Sequence, residues 1–216
     1  MSKTQIPTGG IADDAIDSQH YADGSIDTAF IGNSQVTAAK TSGVAGLVKI
    51  HSFSVSSGDA SATLTSKFDS TYGIYKIFLY DWNTSADADA RLQWVTSTDT
   101  VQSGASSYFY AGVGFNTSGQ NSAWSGNTDY IRITGETIRN DADEQFAWEG
   151  TLYNPSGTTL KKRLVFAGGG RRTGNYTYNG HGTAEWNSTT AITGFKVFQS
   201  TGTFDSLNWK IYGLVG

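Results

Sequence analysis

The chain has 216 residues, enough to bury a sizeable core as one large domain or one domain with an appendage. It is rich in Gly (26), poor in Pro (2) and free of Cys, which excludes a disulfide framework and a thiolate metal site. Its net charge of −4 argues against the concentrated basic face that phosphate binding needs, so no nucleic-acid partner is expected, and its charged fraction of 16% is low for a helical protein.

In chain order, the first feature is a rhythm of five. Ile6, Ile11, Ile16, Tyr21, Ile26, Ile31 and Val36 recur at that unbroken spacing, with small or acidic residues between them. A period of five fits neither the 3.6 of a helix nor the 2 of a strand. It suits a chain that zigzags, presenting one apolar side chain per short leg, as stacked repeats do. A segment this thin cannot bury its own apolar row; neighbouring copies or a docking partner must cover it. Residues 1–43 are therefore expected to be an assembly segment, with three chains about one axis as the preferred arrangement. A polar linker with coincidental Ile spacing is the alternative. The same stretch holds five Asp (Asp13, Asp14, Asp17, Asp23, Asp27) against Lys3 and Lys40. His20 precedes Tyr21 in the repeat, while His51 and His181 are scattered farther on. The small, uncharged run 41–46 reads as the link into a head spanning residues 44–216.

The head reads as all-β. Thr, Ser, Tyr, Phe and Gly dominate it, the vocabulary of strands and turns. Strands are predicted at 48–55, 60–64, 75–82, 91–96, 108–115, 130–134, 145–153, 161–167, 176–186, 194–199 and 209–214. Turns are predicted at 56–59, 103–104, 116–119, 154–157, 168–170 and 200–202. Alternation is clean in places: Ile131 and Ile133 flank Arg132, and Phe195, Val197 and Gln199 alternate with Lys196 and Phe198. Such strands belong to two packed antiparallel sheets, and a jelly-roll-like β-sandwich is the specific expectation. Trp82, Trp94, Trp148, Trp186 and Trp209 fall inside strand patterns and are expected in its core.

Three groups of candidate site residues stand out. Trp124, set among small polar residues, reads as an exposed loop ring, and Arg171, Arg172, Tyr176 and Tyr178 surround a Gly-rich turn. Either group could hold a sugar, whose flat apolar faces suit aromatic side chains, and burial at a subunit interface is the rival reading. Asn83, Asp87 and Asp89 are a weak candidate for Ca²⁺, since oxygen ligands come from such turns, but they match no known loop pattern. Asp141, Asp143 and Glu144 are the other dense acidic group; lying in a loop, they read as solvated rather than as a glycosidase pair. Gly168-Gly169-Gly170-Arg171-Arg172 lacks the Gly-Lys-Ser/Thr ending and following helix of a phosphate loop. No catalytic residue and no cofactor is expected.

Residues 10–18, 22–27 and 37–40 together resemble the connector segments of phage fibre and structural proteins, especially from marine and cyanobacterial phages. Residues 75–80 and 87–92 are similar to the start of small jelly-roll modules of such virions, and 202–204 with 211–214 to their closing strand. The resemblance implies a homotrimeric virion appendage, a tail fibre, head fibre or decoration protein, in contact with other virion proteins. It supplies no catalytic residue. The connector is short, which argues against a long rod-like fibre. The first residues show no basic and apolar signal pattern, and no run reaches membrane-spanning length. The expectation is therefore synthesis in the host cytoplasm, release by lysis and residence in the virion, without membrane insertion. Two roles follow: a tail-associated adhesin that contacts host surface carbohydrate, or a capsid decoration protein with no receptor role. A glycan-cleaving enzyme is a distant third. If the ladder trimerises the chain, light scattering gives a trimer for the full chain and a monomer once residues 1–43 are removed. A full-length monomer would contradict it.

Overall fold

The computed structural model describes residues 46–119, 121–172 and 176–214. The ladder from Ile6 to Val36 lies outside the described residues, as does the rest of the expected assembly segment. Every described residue belongs to one unit, Ala45–Gly216, close to the expected boundary of the head.

Among the described residues there are twelve strands: β1 (Leu47–Val55), β2 (Ser61–Leu64), β3 (Ile74–Thr84), β4 (Ala90–Thr96), β5 (Tyr108–Asn116) and β6 (Asn121–Thr128). They continue as β7 (Ile131–Arg132), β8 (Phe146–Tyr153), β9 (Lys162–Arg172), β10 (Tyr176–Trp186), β11 (Ile192–Gln199) and β12 (Phe204–Leu214). All pairings are antiparallel. One sheet has eight strands in the order β1-β12-β3-β8-β9-β10-β5-β6; the other has four, β2-β11-β4-β7. Setting aside the added hairpins β5–β6 and β9–β10 leaves β1-β12-β3-β8 facing β2-β11-β4-β7. That nested winding, first strand beside last and second beside second-to-last, is a jelly roll. The expected all-β sandwich is what the chain forms.

Period-2 alternation decides which face is buried. On β3, Tyr75, Ile77 and Leu79 point inward while Lys76, Phe78 and Tyr80 point out. On β8, Phe146, Trp148 and Leu152 point inward. The five tryptophans expected in the core are all buried, none above 4% exposure. Two of them pack edge-on: Trp82 lies 5.5 Å from Phe204 and Trp209 lies 5.5 Å from Phe195, centroid to centroid. Each such side chain contributes about 1.5–3 kcal/mol by burial, with a further increment from ring geometry.

The added hairpins correct four expectations. The run 121–128 is not a loop but strand β6, paired along its length with β5. Trp124 is consequently buried at 8% exposure. Gly168, Gly169 and Gly170 form no turn; they lie within β9, between β8 and β10. Their lack of side chains is what permits this pairing: a Cβ on Gly170 would meet the Gln145 carbonyl at 2.7 Å, and one on Gly169 would meet that of Tyr178 at 2.7 Å. The strand expected at 130–134 shrinks to Ile131–Arg132, after which the chain runs beneath the hairpins.

At one end of the sandwich, Lys162 is buried at 1% exposure. Its ammonium donates to the Gly157, Leu160 and Thr189 carbonyls, joining two loops where an apolar side chain would leave those acceptors bare.

Gly194 offers a direct test of packing between β2 and β11, because a Cβ there would lie 1.9 Å from the Leu64 carbonyl oxygen. Backbone cannot yield as a flexible side chain can. Gly194→Ala is expected to cost about 1–3 kcal/mol. Thermal unfolding should show a melting midpoint lowered by several degrees, while Gly73→Ala, which meets nothing within 4 Å, leaves it unchanged.

Candidate functional site

The register of the eight-stranded sheet places one residue from every strand in a row across its outer face. Ser52, Lys210, Phe78, Glu149, Ala167, His181, Val113 and Ala123 lie directly opposite one another in succession. Lys210, Phe78 and Glu149 stand to one side of Ala167 in this row, and His181 and Val113 to the other. Ala147 on β8 pairs with Gly169 on β9, and Glu149 with Ala167. The result is a trough of about 790 Å³ along β8 and β9. Its floor is Ala147, Ala167 and Gly169, and Phe78, Tyr80 and Tyr212 from β3 and β12 supply rings. Glu149, Lys210 and Asn179 add a carboxylate, an ammonium and an amide.

These rings are held in place. Phe78 and Tyr212 meet edge to face at 5.8 Å, and the Lys210 ammonium lies 5.4 Å from the Tyr80 ring centroid. Beyond the trough, β5 adds an apolar strip to the same outer face: Phe109, Val113 and Phe115 are 40%, 44% and 58% exposed.

The residues singled out from the sequence do not build this site. Trp124 and Tyr178 are brought together, but inside the sandwich, 6.3 Å apart at their ring centroids. The Trp124 indole N–H donates to the Arg132 carbonyl at 3.3 Å. Burial holds the Tyr178 hydroxyl well above its usual pKa. Neither ring offers a face to a sugar, which corrects that expectation for both. The cause is glycine: Cβ atoms on Gly112, Gly114 and Gly180 would lie 2.4, 2.4 and 2.1 Å from Trp124 or Tyr178 atoms, so those glycines form the hollow that receives the two rings. Arg171 is half-buried, 3.4 Å from a Glu144 oxygen. Arg172 ends β9, with its side chain outside the described residues, and Tyr176 is exposed at the start of β10.

The weak metal set does not converge either. The Asn83 amide donates to the Asp141 and Glu144 carbonyls at 2.9 Å each, and its oxygen accepts from the Thr84 N–H at 2.7 Å. Asp87 accepts from the Asn140 N–H at 3.0 Å. Asp89 pairs with Arg132 at 2.8 Å and accepts from Thr137 at 3.2 Å. Each residue is engaged with its own neighbours. Asp141, Asp143 and Glu144 do gather within 4.8 Å of one another. Arg139 lies 2.5 Å from Asp141 and 3.9 Å from Glu144, and Arg171 also faces Glu144. Two guanidinium groups thus pair with Asp141 and Glu144, so these two acids form an ionic clasp with Arg139 and Arg171.

No protein-family model, curated protein or solved structure matches the chain.

His51, on β1, is a titratable group that touches the core through Trp209. Its Nδ1 accepts a hydrogen bond from the Trp209 indole N–H at 3.1 Å, which requires that nitrogen to be unprotonated. Burial, then the nearby Lys67 charge, holds its pKa below 6.5. The unfolded chain therefore takes up the proton first as pH falls, and stability drops between 6.5 and the lowered value. Melting midpoints followed by tryptophan fluorescence should fall across that range. His51→Leu should show a shallower fall than the parent; an equal slope would remove His51 as its source.

Proposed function

We propose that the chain is a non-enzymatic attachment and structural protein of a phage particle. In this reading it is a homotrimer, its residues 1–43 dock to tail, baseplate or capsid, and the head meets host surface glycan. The observation that carries the reading is the outer face of the eight-stranded sheet: a continuous surface with exposed apolar side chains and a broad trough, which favours binding over chemistry. The ladder Ile6 to Val36 supports assembly, since a row of that kind needs neighbours to hide it. Threefold symmetry would let weak sites act together and raise avidity. The ion pairing of Asp89, Asp141 and Glu144 weighs against their use as glycosidase acids and bases.

A second reading, a capsid decoration or cement protein, is favoured by the strip Phe109, Val113 and Phe115, whose apolar character suits a protein partner better than a sugar. Copy number separates the two. Quantitative gels of whole virions should give a small multiple of three for a tail appendage and hundreds for a cement protein. Finding the chain absent from purified virions would sink both.

A further inference from the structure

We infer that the trough on β8 and β9 is a binding site for neutral pyranose sugars, with Tyr80 and Tyr212 as stacking surfaces and Glu149, Lys210 and Asn179 as hydrogen-bonding groups. The inference rests on the attachment reading and assigns it a site different from the residues the sequence had suggested. A pyranose ring has an apolar C–H face and a rim of hydroxyls that both donate and accept. The trough offers the matching pair. Its rings lie on the wall formed by β3 and β12, and beside them stand an acceptor-only carboxylate, a donor-only ammonium and an amide that does both. Its floor of Ala147, Ala167 and Gly169 lets a ring settle between strands instead of resting on side-chain tips. The volume, about 790 Å³, falls in the range of small-molecule sites.

Charge selects among occupants. Among the described residues, Glu149 and Lys210 are the charged groups lining it, one of each sign. An acyl chain would leave both of them facing hydrocarbon. A uronic acid or sialic acid would gain from Lys210 and lose to Glu149 in the same groove. A neutral sugar uses both, and the pair fixes its orientation. Tyr80 is further held by the ammonium over its ring, so less freedom is lost when a sugar stacks there.

The test uses the full chain against immobilised gluco-, manno- and galacto-configured neutral oligosaccharides, beside uronate-bearing ones. At least one neutral saccharide should bind. Ala147→Trp, which fills the floor from an outward position, should weaken it about tenfold or more with an unchanged melting midpoint. Should that variant misfold, Tyr80→Ala is expected to cause a comparable loss. No binding of the parent to any saccharide, preferential binding of uronates, or undiminished binding by Ala147→Trp would each overturn the assignment. Host-cell adsorption separates the two levels. A parent chain that binds cells, with Ala147→Trp binding equally well, preserves attachment and removes the trough, whereas a chain that binds neither cells nor sugars defeats both. If Ala147→Trp instead lowers the oligomeric mass by light scattering, the trough is a contact between copies and the sugar site falls.

Discussion

The four-stranded sheet is too narrow to cover the inner face of the eight-stranded one, and most of the molecule's unusual features answer that mismatch. Strands β9, β10, β5 and β6 extend past the jelly-roll pairing, and their inward side chains would meet water without another cover. Trp124 and Tyr178 fill the space from above, seated against Gly112, Gly114 and Gly180. The chain after β7 fills it from below, with Gly135 close against both rings and Ile138 buried at 4%. This underlying segment is then tied at its far end. Asn83 donates to two of its carbonyls, the Arg139 N–H donates to the Arg171 carbonyl at 3.2 Å, and Arg139 and Arg171 clasp Asp141 and Glu144. Acids that resemble a catalytic or metal-binding group in one dimension act here as ballast for a core.

The same extension accounts for the candidate site. Where β8, the edge strand of the jelly-roll core in this sheet, meets the added β9, the outward residues include Ala147, Ala167 and Gly169. Short side chains at this seam leave a depression bordered by the larger groups of β3 and β12. Among the described residues, the outer face of the wide sheet carries rings and paired charges over the trough and aliphatic and aromatic groups along β5.

Much of the scaffold was legible from residue alternation. The strands around Tyr75, Trp94, Trp148, Trp186 and Trp209 lie where period-2 patterning puts them, and so do their tryptophans. Strand β6 was hidden because Asn121-Ser-Ala-Trp-Ser-Gly-Asn-Thr carries one large apolar side chain and otherwise the small polar vocabulary of a loop. Only its pairing with β5 makes it a strand. The Gly168–Gly170 run was misread for a related reason: glycine signals a turn locally, yet here it permits close approach to β8 and β10. The trough was beyond sequence reasoning altogether. Its floor and wall come from four strands spread between Ile74 and Leu214, and only cross-strand register brings Phe78, Glu149 and Ala167 into one row.

The central claim is that the head works through the outer face of its wide sheet. Hydroxyl-radical footprinting of the full chain, alone and on host envelope, tests this most directly. Phe78, Tyr80 and Tyr212 should lose labelling on binding, while Tyr130 and Phe198, which pack together at the narrow sheet 6.2 Å apart, keep theirs. Protection of Tyr130 and Phe198 with unchanged labelling of Phe78, Tyr80 and Tyr212 would contradict the account.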